Sequence, residues 1–273
     1  RYVSLSRSLV TQHAQTPPKV LVWPETSMPF YFQEPGDASQ QVRSLAADLG
    51  VPVLLGAPGY DRDLDSNQYR FFNRAYLLGA DGAIQSYYEK EHLVPFGEYI
   101  PFGKHLTFLK KLVEGPGDFT PGVQVAPLSL GHLSMGVLIC YETIFPELAQ
   151  KRVAQGANVL VNLSNDAWFG KTAAPTQHLH LAVLRAVEQR RSVVRATNTG
   201  ISAVIRPTGV IRTPTRLFET TVFAVETELM ASHTLFHRWH NAILPVMAGL
   251  SIICYLWSRI APCRTPSKGA HYS

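Results

Sequence analysis

The residue in this chain best suited to forming a covalent bond is Cys140, which closes the apolar run Leu133-Ser134-Met135-Gly136-Val137-Leu138-Ile139 and is followed by Tyr141 and Glu142. Met135, Val137, Leu138 and Ile139 suit a buried strand and Pro146 suits the first turn of a helix, so the cysteine falls at a strand-to-helix corner. Helix amide N–H groups at such a corner favour thiolate over thiol, and the thiolate is the nucleophile. A lone cysteine after an apolar run is more often an inert core residue, so Cys140 needs partners before it is chemistry. Two segments offer them. Glu25 follows the short run Lys19-Val20-Leu21-Val22-Trp23-Pro24, at the carboxyl end of a strand, where open α/β sheets build their sites. Lys90 lies in Tyr88-Glu89-Lys90-Glu91-His92-Leu93-Val94-Pro95-Phe96-Gly97-Glu98-Tyr99, a loop dense in groups that titrate or donate hydrogen bonds. Taken singly, a strand-end glutamate and a charged loop read as solvated turns.

The elements that must position these groups alternate between strand and helix, the α/β pattern. An opening helix ends near Leu9 and Val10. From Asp37 to Leu49, Val42, Leu45, Ala46 and Leu49 recur at the spacing of one helix face, and Gly50 closes it. Val51 to Gly56 is the next strand, followed by a polar stretch from Asp61 to Gln68. Phe71 to Leu78 and Ala83 to Tyr87 form a hairpin across Gly79-Ala80-Asp81-Gly82. Residues 100 to 123 make a long connection punctuated by proline and glycine, a length usual in functional loops or lids. Within it His105 to Val113 reads as a short amphipathic helix, with Phe102, Leu106, Phe108 and Leu112 as its lid or membrane contacts. Beyond Cys140 come a helix from Pro146 to Gly156, a buried strand from Ala157 to Leu163, and the polar-aromatic loop Ser164 to Gly170. A helix from Pro175 to Arg190 and a strand from Ser192 to Thr197 follow. Ile201 to Ile205 pairs with Val210-Ile211, and Thr220 to Val225 reads as a final strand.

With 273 residues, 46% of them hydrophobic, the chain can build one large domain or two small ones with a real core. The net charge of +5 comes from scattered lysines and arginines without a basic stripe interleaved with aromatics, which argues against nucleic acid as a partner. Cys140, Cys254 and Cys263 have neither metal-ligand spacing nor an evident disulfide logic. His178 and His180 read as helix packing, and His233, His237 and His240 as interfacial, so neither a metal nor a cofactor is called for. Ala242 to Trp257 is largely apolar and uncharged, somewhat shorter than the ~20 residues of a spanning helix. Ile260 and Ala261 extend it, and Trp239, Tyr255 and Trp257 suit interfacial anchors. It reads as a membrane span over residues 242–261, reached by an interfacial linker at 231–241, in preference to a buried core helix. Arg259, Arg264 and Lys268 flank it without an acid, which puts the tail 262–273 in the cytoplasm and the main domain, 1–230, on the other side. The chain starts at Arg1 with no signal pattern, and an upstream continuation is expected.

The order Glu25, Lys90, Cys140 resembles the signature of the nitrilase superfamily, the carbon-nitrogen hydrolases. The surrounding residues are more specific: Trp23-Pro24-Glu25-Thr26, the loop Tyr88 to Tyr99, Cys140-Tyr141-Glu142 and Asn165-Asp166-Ala167-Trp168-Phe169-Gly170. Together they resemble the bacterial apolipoprotein N-acyltransferase family, inner-membrane enzymes that add the third acyl chain to lipoproteins, from about residue 1 to about residue 260. The resemblance implies a nitrilase-like α-β-β-α sandwich followed by one C-terminal transmembrane helix. It places the family's bundle of membrane helices and the first strand of the domain upstream of Arg1. It implies a phospholipid acyl donor, chiefly phosphatidylethanolamine, and a diacylglyceryl apolipoprotein acceptor. The catalytic domain would lie on the periplasmic side of the bacterial inner membrane.

Acyl transfer needs a nucleophile, a base for its proton, and donors where the carbonyl oxygen gains charge. On this resemblance Cys140 is the nucleophile that forms a thioester and Glu25 is the general base. A carboxylate fills that role near neutral pH when burial or a neighbour raises its proton affinity. Lys90 lowers the thiol's pKa and, with the Tyr141 backbone N–H, stabilises the oxyanion. Glu98 orients Lys90, while Tyr141 and Glu142 support the loop beside the cysteine. Two rival readings stand beside it: a membrane-tethered nitrilase-type amidase in which water replaces the amine, and a catalytically silent fragment that acts as a binding module.

Overall fold

In the computed structural model, which describes residues 1–63, 67–101 and 119–260, two β-sheets stack face to face and helices cover both outer faces. The first sheet has the order β1-β2-β3-β4. β1 (Leu21–Val22) pairs parallel with β2 (Val53–Arg62), and β2, β3 (Tyr69–Leu78) and β4 (Ile84–Glu89) pair antiparallel. The second sheet has the order β10-β9-β8-β7-β6-β5. Its centre is the parallel set β6 (Leu133–Ile139), β7 (Val159–Ser164) and β8 (Val193–Thr197). β5 (Leu128–Leu130), β9 (Ala203–Ile205) and β10 (Ile211–Arg212) add antiparallel strands at its edges.

Period-two alternation in the strands sorts their side chains into three apolar layers. Leu54, Ala75, Leu77 and Tyr88 of the first sheet meet Met135, Val137, Ile139, Val159, Val161 and Leu163 of the second in the central layer. On the outer side of the first sheet, Val53, Leu55 and Tyr76 pack against Leu9 of α1 (Tyr2–Gln12) and Val42, Leu45 and Ala46 of α2 (Asp37–Leu49). The apolar stripe of α2 is the one its spacing predicts, and Gly50 ends the helix in the left-handed conformation with φ 61°. On the outer side of the second sheet, Leu138, Leu160 and Val193 pack against α3 (Pro146–Ala154) and α4 (Ala174–Gln189) through Leu148, Val153, Leu179, Ala182 and Ala186. This is an α-β-β-α sandwich with the ends of the parallel strands β6, β7 and β8 at one edge.

Two local expectations change. The strand from Val51 extends well past Gly56, to Arg62, because its whole length finds a partner in β3. Thr220 to Val225 is no strand but part of an irregular strap after β10. That strap is held by other bonds: Phe218 N to Thr199 O at 3.0 Å, Met230 N to Asn158 O at 3.1 Å, and Arg191 Nη1 to Ser232 O at 2.7 Å. The segment His105 to Val113, with Phe102, Leu106, Phe108 and Leu112, and the tail 262–273 lie outside the described residues.

A second unit begins at Thr234 and contains α5 (Leu235–Ile260), with Pro245 inside it. Proline removes one helical N–H and clashes with the preceding turn. The two segments Leu235–Ile243 and Pro245–Arg259 meet at 47°. Among the described residues no single helix is long and apolar enough to cross a membrane, whereas this bent pair meets that test by length and composition.

Candidate active site

Glu25 is delivered by the end of β1. Trp23 N donates to Leu54 O at 2.8 Å and Gly56 N to Pro24 O at 3.2 Å, which presses the Pro24-Glu25-Thr26 turn onto β2. Only glycine permits this approach: a Cβ on Gly56 would stand 2.6 Å from the Glu25 Cα. The carboxylate is buried, 6% exposed, with Oε1 accepting from Asn73 Nδ2 at 2.8 Å and Oε2 from the Asn165 backbone N–H at 2.8 Å.

Lys90 follows directly on β4, its N–H donating to Asn73 O at 2.9 Å. Its ammonium is 1% exposed and lies 2.8 Å from Glu98 Oε2, 2.9 Å from Glu98 Oε1 and 3.7 Å from Glu25 Oε1. Glu98 is itself fixed, accepting from Val94 N at 2.8 Å and from Asn73 Nδ2 at 2.9 Å. Burial alone would favour neutral lysine, but the charges of Glu25 and Glu98, with Cys140, outweigh it and hold the amine well above its usual pKa. Lys90 is therefore favoured as a cation although it is buried.

Cys140 directly follows β6 and heads a short 3-10 helix, Cys140–Ile144, with its backbone in the left-handed region at φ 47°. The corner differs from the expected one, because α3 begins only at Pro146 and the cysteine does not sit on its first turn. The thiol is not favoured as thiolate either. Burial first, and the Glu25 charge second, push it up to about 12, against the opposing pull of Lys90 and a hydrogen bond from Ser164. The three sequence candidates thus share one site, in which burial and the charge of Glu25 favour the cysteine as a thiol.

Glu142 is fully buried and joins the two loops. Its Oε1 accepts from Tyr88 Oη at 2.7 Å, Glu91 N at 2.7 Å and His92 N at 3.1 Å, and its Oε2 accepts from Ile139 N at 2.7 Å. The loop that carries Lys90 and the strand that carries Cys140 are thereby tied to one carboxyl group, whose pKa is raised by burial in spite of these donors. Tyr141 is half-buried, with its ring 5.0 Å from Phe145 in an edge-on contact and 6.0 Å from His92.

Sequence reasoning singled out no role for Asn73, Ser164, Asp166 or Arg195, and read His178 only as helix packing. All five are buried around the site. Asp166 accepts from Ser164 Oγ at 2.7 Å and Arg195 Nη2 at 2.8 Å, and its Oδ1 lies 3.0 Å from His178 Nδ1. Burial alone would raise its pKa, but the His178 hydrogen bond and the charge of Arg195 outweigh it and hold the carboxyl below its usual range. His178 packs inside the fold as expected, whereas its neighbour His180 is exposed.

Residues 2–231 match the carbon-nitrogen hydrolase family, a span that holds both sheets and every residue of the site. The chain belongs to that family. A protein of Geobacter metallireducens named apolipoprotein N-acyltransferase is 41% identical over 256 residues, 93% of this chain and 48% of the relative. One of the same name from Allorhizobium ampelinum is 38% identical over 206 residues, 74% of this chain and 39% of the relative. This chain therefore spans at most about half the length of these relatives. The fold is shared with the crystal structure of an amidase from Nesterenkonia sp., at a TM-score of 0.56 and 22% identity, over 80% of each chain.

Proposed function

We propose that this chain carries the acyl-transfer site of an apolipoprotein N-acyltransferase, moving an acyl chain from a phospholipid through a Cys140 thioester to the α-amino group of a diacylglyceryl-cysteine. The observation that carries this reading is the 41% identity over 93% of the chain to a relative of that name, extending beyond the hydrolase domain at residue 231. In the first step Glu25 takes the thiol proton as Sγ attacks the ester carbonyl. The oxyanion faces the Lys90 ammonium and the Tyr141 N–H, as stabilisation of a developing charge requires. Collapse breaks the ester C–O bond, and Glu25 returns the proton to the departing lysophospholipid. In the second step the amine attacks the thioester and gives its proton to Glu25. The C–S bond breaks and Cys140 regains that proton.

A resting thiol with a high pKa suits this cycle, since the proton moves only when a carbonyl is in place and Glu25 is there to accept it. Both substrates are lipids held in a bilayer, and the apolar segment 242–261 serves as the membrane anchor, with the bend at Pro245 inside it. On this reading the site works on the periplasmic side of the bacterial inner membrane, with phosphatidylethanolamine as the main donor. The test is transfer of a labelled acyl chain from phospholipid to a diacylglyceryl-cysteine peptide by the reconstituted chain. Amide-linked label that disappears in Cys140→Ala supports the reading. Release of ammonia from small amides with no transfer from lipid replaces it with amide hydrolysis.

A further inference from the structure

Cys140 adopts a left-handed backbone conformation, φ 47°, which a residue with a Cβ disfavours and which the surroundings must hold. Its carbonyl oxygen is met by His178 Nε2 at 3.1 Å. A carbonyl only accepts, so Nε2 carries the hydrogen and donates it. At the other end of the ring Nδ1 lies 3.0 Å from Asp166 Oδ1 and 3.1 Å from Arg195 Nη2. Asp166 and Arg195 are joined at 2.8 Å with both side chains fully buried. Arg195 also donates to Asn162 Oδ1, and Asn162 Nδ2 donates to Leu138 O at 3.0 Å, two residues before the cysteine. Side chains from β7, β8 and α4 thus converge behind the end of β6. Burying an anion, a guanidinium and an imidazole together is costly unless each is fully paired. The pairing here reaches the backbone at Leu138 O, at Ile201 O and, through His178, at the carbonyl of the nucleophile.

We infer that His178 is a positioning residue for the reaction: its Nε2–H, with the ring held at Nδ1 between Arg195 and Asp166, latches the Cys140 carbonyl and holds the nucleophile's backbone in the turn that directs its sulfur toward Glu25 and Lys90. Ser164 joins the latch to the sulfur, since its hydroxyl donates to Asp166 at 2.7 Å and it also lies close enough to the Cys140 side chain to oppose the rise in the thiol's pKa. The charged groups acting on that sulfur include Glu25, Lys90, Asp166 and Arg195, and a fixed backbone keeps it in a constant relation to all of them. The inference rests on Cys140 being the acyl-accepting nucleophile, while the latch itself is independent of the donor.

Two variants of the full chain separate hydrogen bonding from packing. His178→Gln keeps a donor near the Nε2 position, and His178→Met fills the space without one. The probe is iodoacetamide, with alkylation of Cys140 followed by mass spectrometry across a pH series. His178→Met is expected to move the midpoint of the profile from that of the parent toward the ~8.5 of an ordinary cysteine. It should also slow acyl-enzyme formation by about 100-fold, the usual penalty for a nucleophile displaced by an ångström. His178→Gln is expected to keep the parental profile. A parental profile in His178→Met, or a profile in His178→Gln shifted as far as in His178→Met, overturns the latch. Should His178→Met fail to fold, His178→Gln decides alone, a parental profile supporting the latch and a shifted one overturning it. Alkylation needs no acyl donor, so a parent that takes no acyl chain from phospholipid counts against acyl transfer and leaves this comparison intact.

Discussion

Asn73 Nδ2 lies 2.8 Å from Glu25 Oε1, and the same nitrogen lies 2.9 Å from Glu98 Oε1. An amide nitrogen has two hydrogens, so a single side chain orients both Glu25 and the carboxylate that holds Lys90. Asn73→Leu keeps the volume and leaves the buried Glu25 and the half-buried Glu98 short of a donor. The expected outcome is a fall in kcat on the order of 100-fold with KM for the lipid little changed. Urea denaturation should show a loss of about 1–3 kcal/mol. An unaltered kcat would remove Asn73 from the site.

Glu142 accepts three backbone N–H groups and the Tyr88 hydroxyl, and it links the Lys90 loop to the Cys140 strand. In Glu142→Gln one of the two oxygens becomes an NH2 that faces donors. Stability should fall by roughly 3 kcal/mol, as for other buried charged groups that lose their pairing. Tyr88→Phe should cost about 1 kcal/mol, and the double variant less than the sum, because both changes act on one network. A double-mutant cycle in urea checks the coupling, and strict additivity would mean that the two do not share it.

The charge on Asp166 contributes stability that depends on pH. Its carboxyl is held below the ordinary value, so that contribution is fully present above ~3.9 and is lost as pH falls through the folded-state pKa. Asp166→Asn should therefore be less stable than the parent at neutral pH and lose less on acidification. Urea midpoints measured from neutral pH into the acid limb test this. Parallel curves for the two proteins would show that Asp166 is not linked to folding.

The Cys140 thiol gives the opposite sign. Its folded-state value of about 12 lies above the ordinary ~8.5, so the thiol stabilises the fold fully below ~8.5, and that contribution is lost as pH rises toward the folded value. Glu25→Gln removes the neighbouring negative charge and should lower the ionisation midpoint, whereas Lys90→Met should raise it. Ultraviolet absorbance of the thiolate reads both shifts, and movement of either in the other direction contradicts the assigned electrostatics.

Much of the layered fold was legible because strands with period-two alternation and a helix with a clean apolar face leave little choice of layer. Leu54, Val137 and Val161 face the central layer for that reason. Thr220 to Val225 misled because alternation without a hydrogen-bonding partner makes no strand, and pairing is a property of the second segment as much as the first. Glu25, Lys90 and Cys140 stood out because each breaks a local pattern at the end of a strand. Asn73, inside β3, and Arg195, inside β8, break nothing visible, since a polar side chain in a strand reads as a solvent-facing one. The same ambiguity hid His178, a residue of the buried helix face, whose partners lie on the turn after β7, on β8 and at the corner after β6 and not on its own helix. The thiol's state was misjudged because burial and the charge of Glu25, which oppose Lys90, emerge only from the assembled site.

The central claim is that Cys140 carries the acyl chain between two lipids. Reconstituted protein incubated with phospholipid alone, then digested and weighed by mass spectrometry, tests this directly. An acyl mass on the Cys140 peptide that hydroxylamine removes, and that is absent in Cys140→Ala, is the predicted result. An unmodified Cys140 in protein that still acylates a diacylglyceryl-cysteine peptide would contradict it.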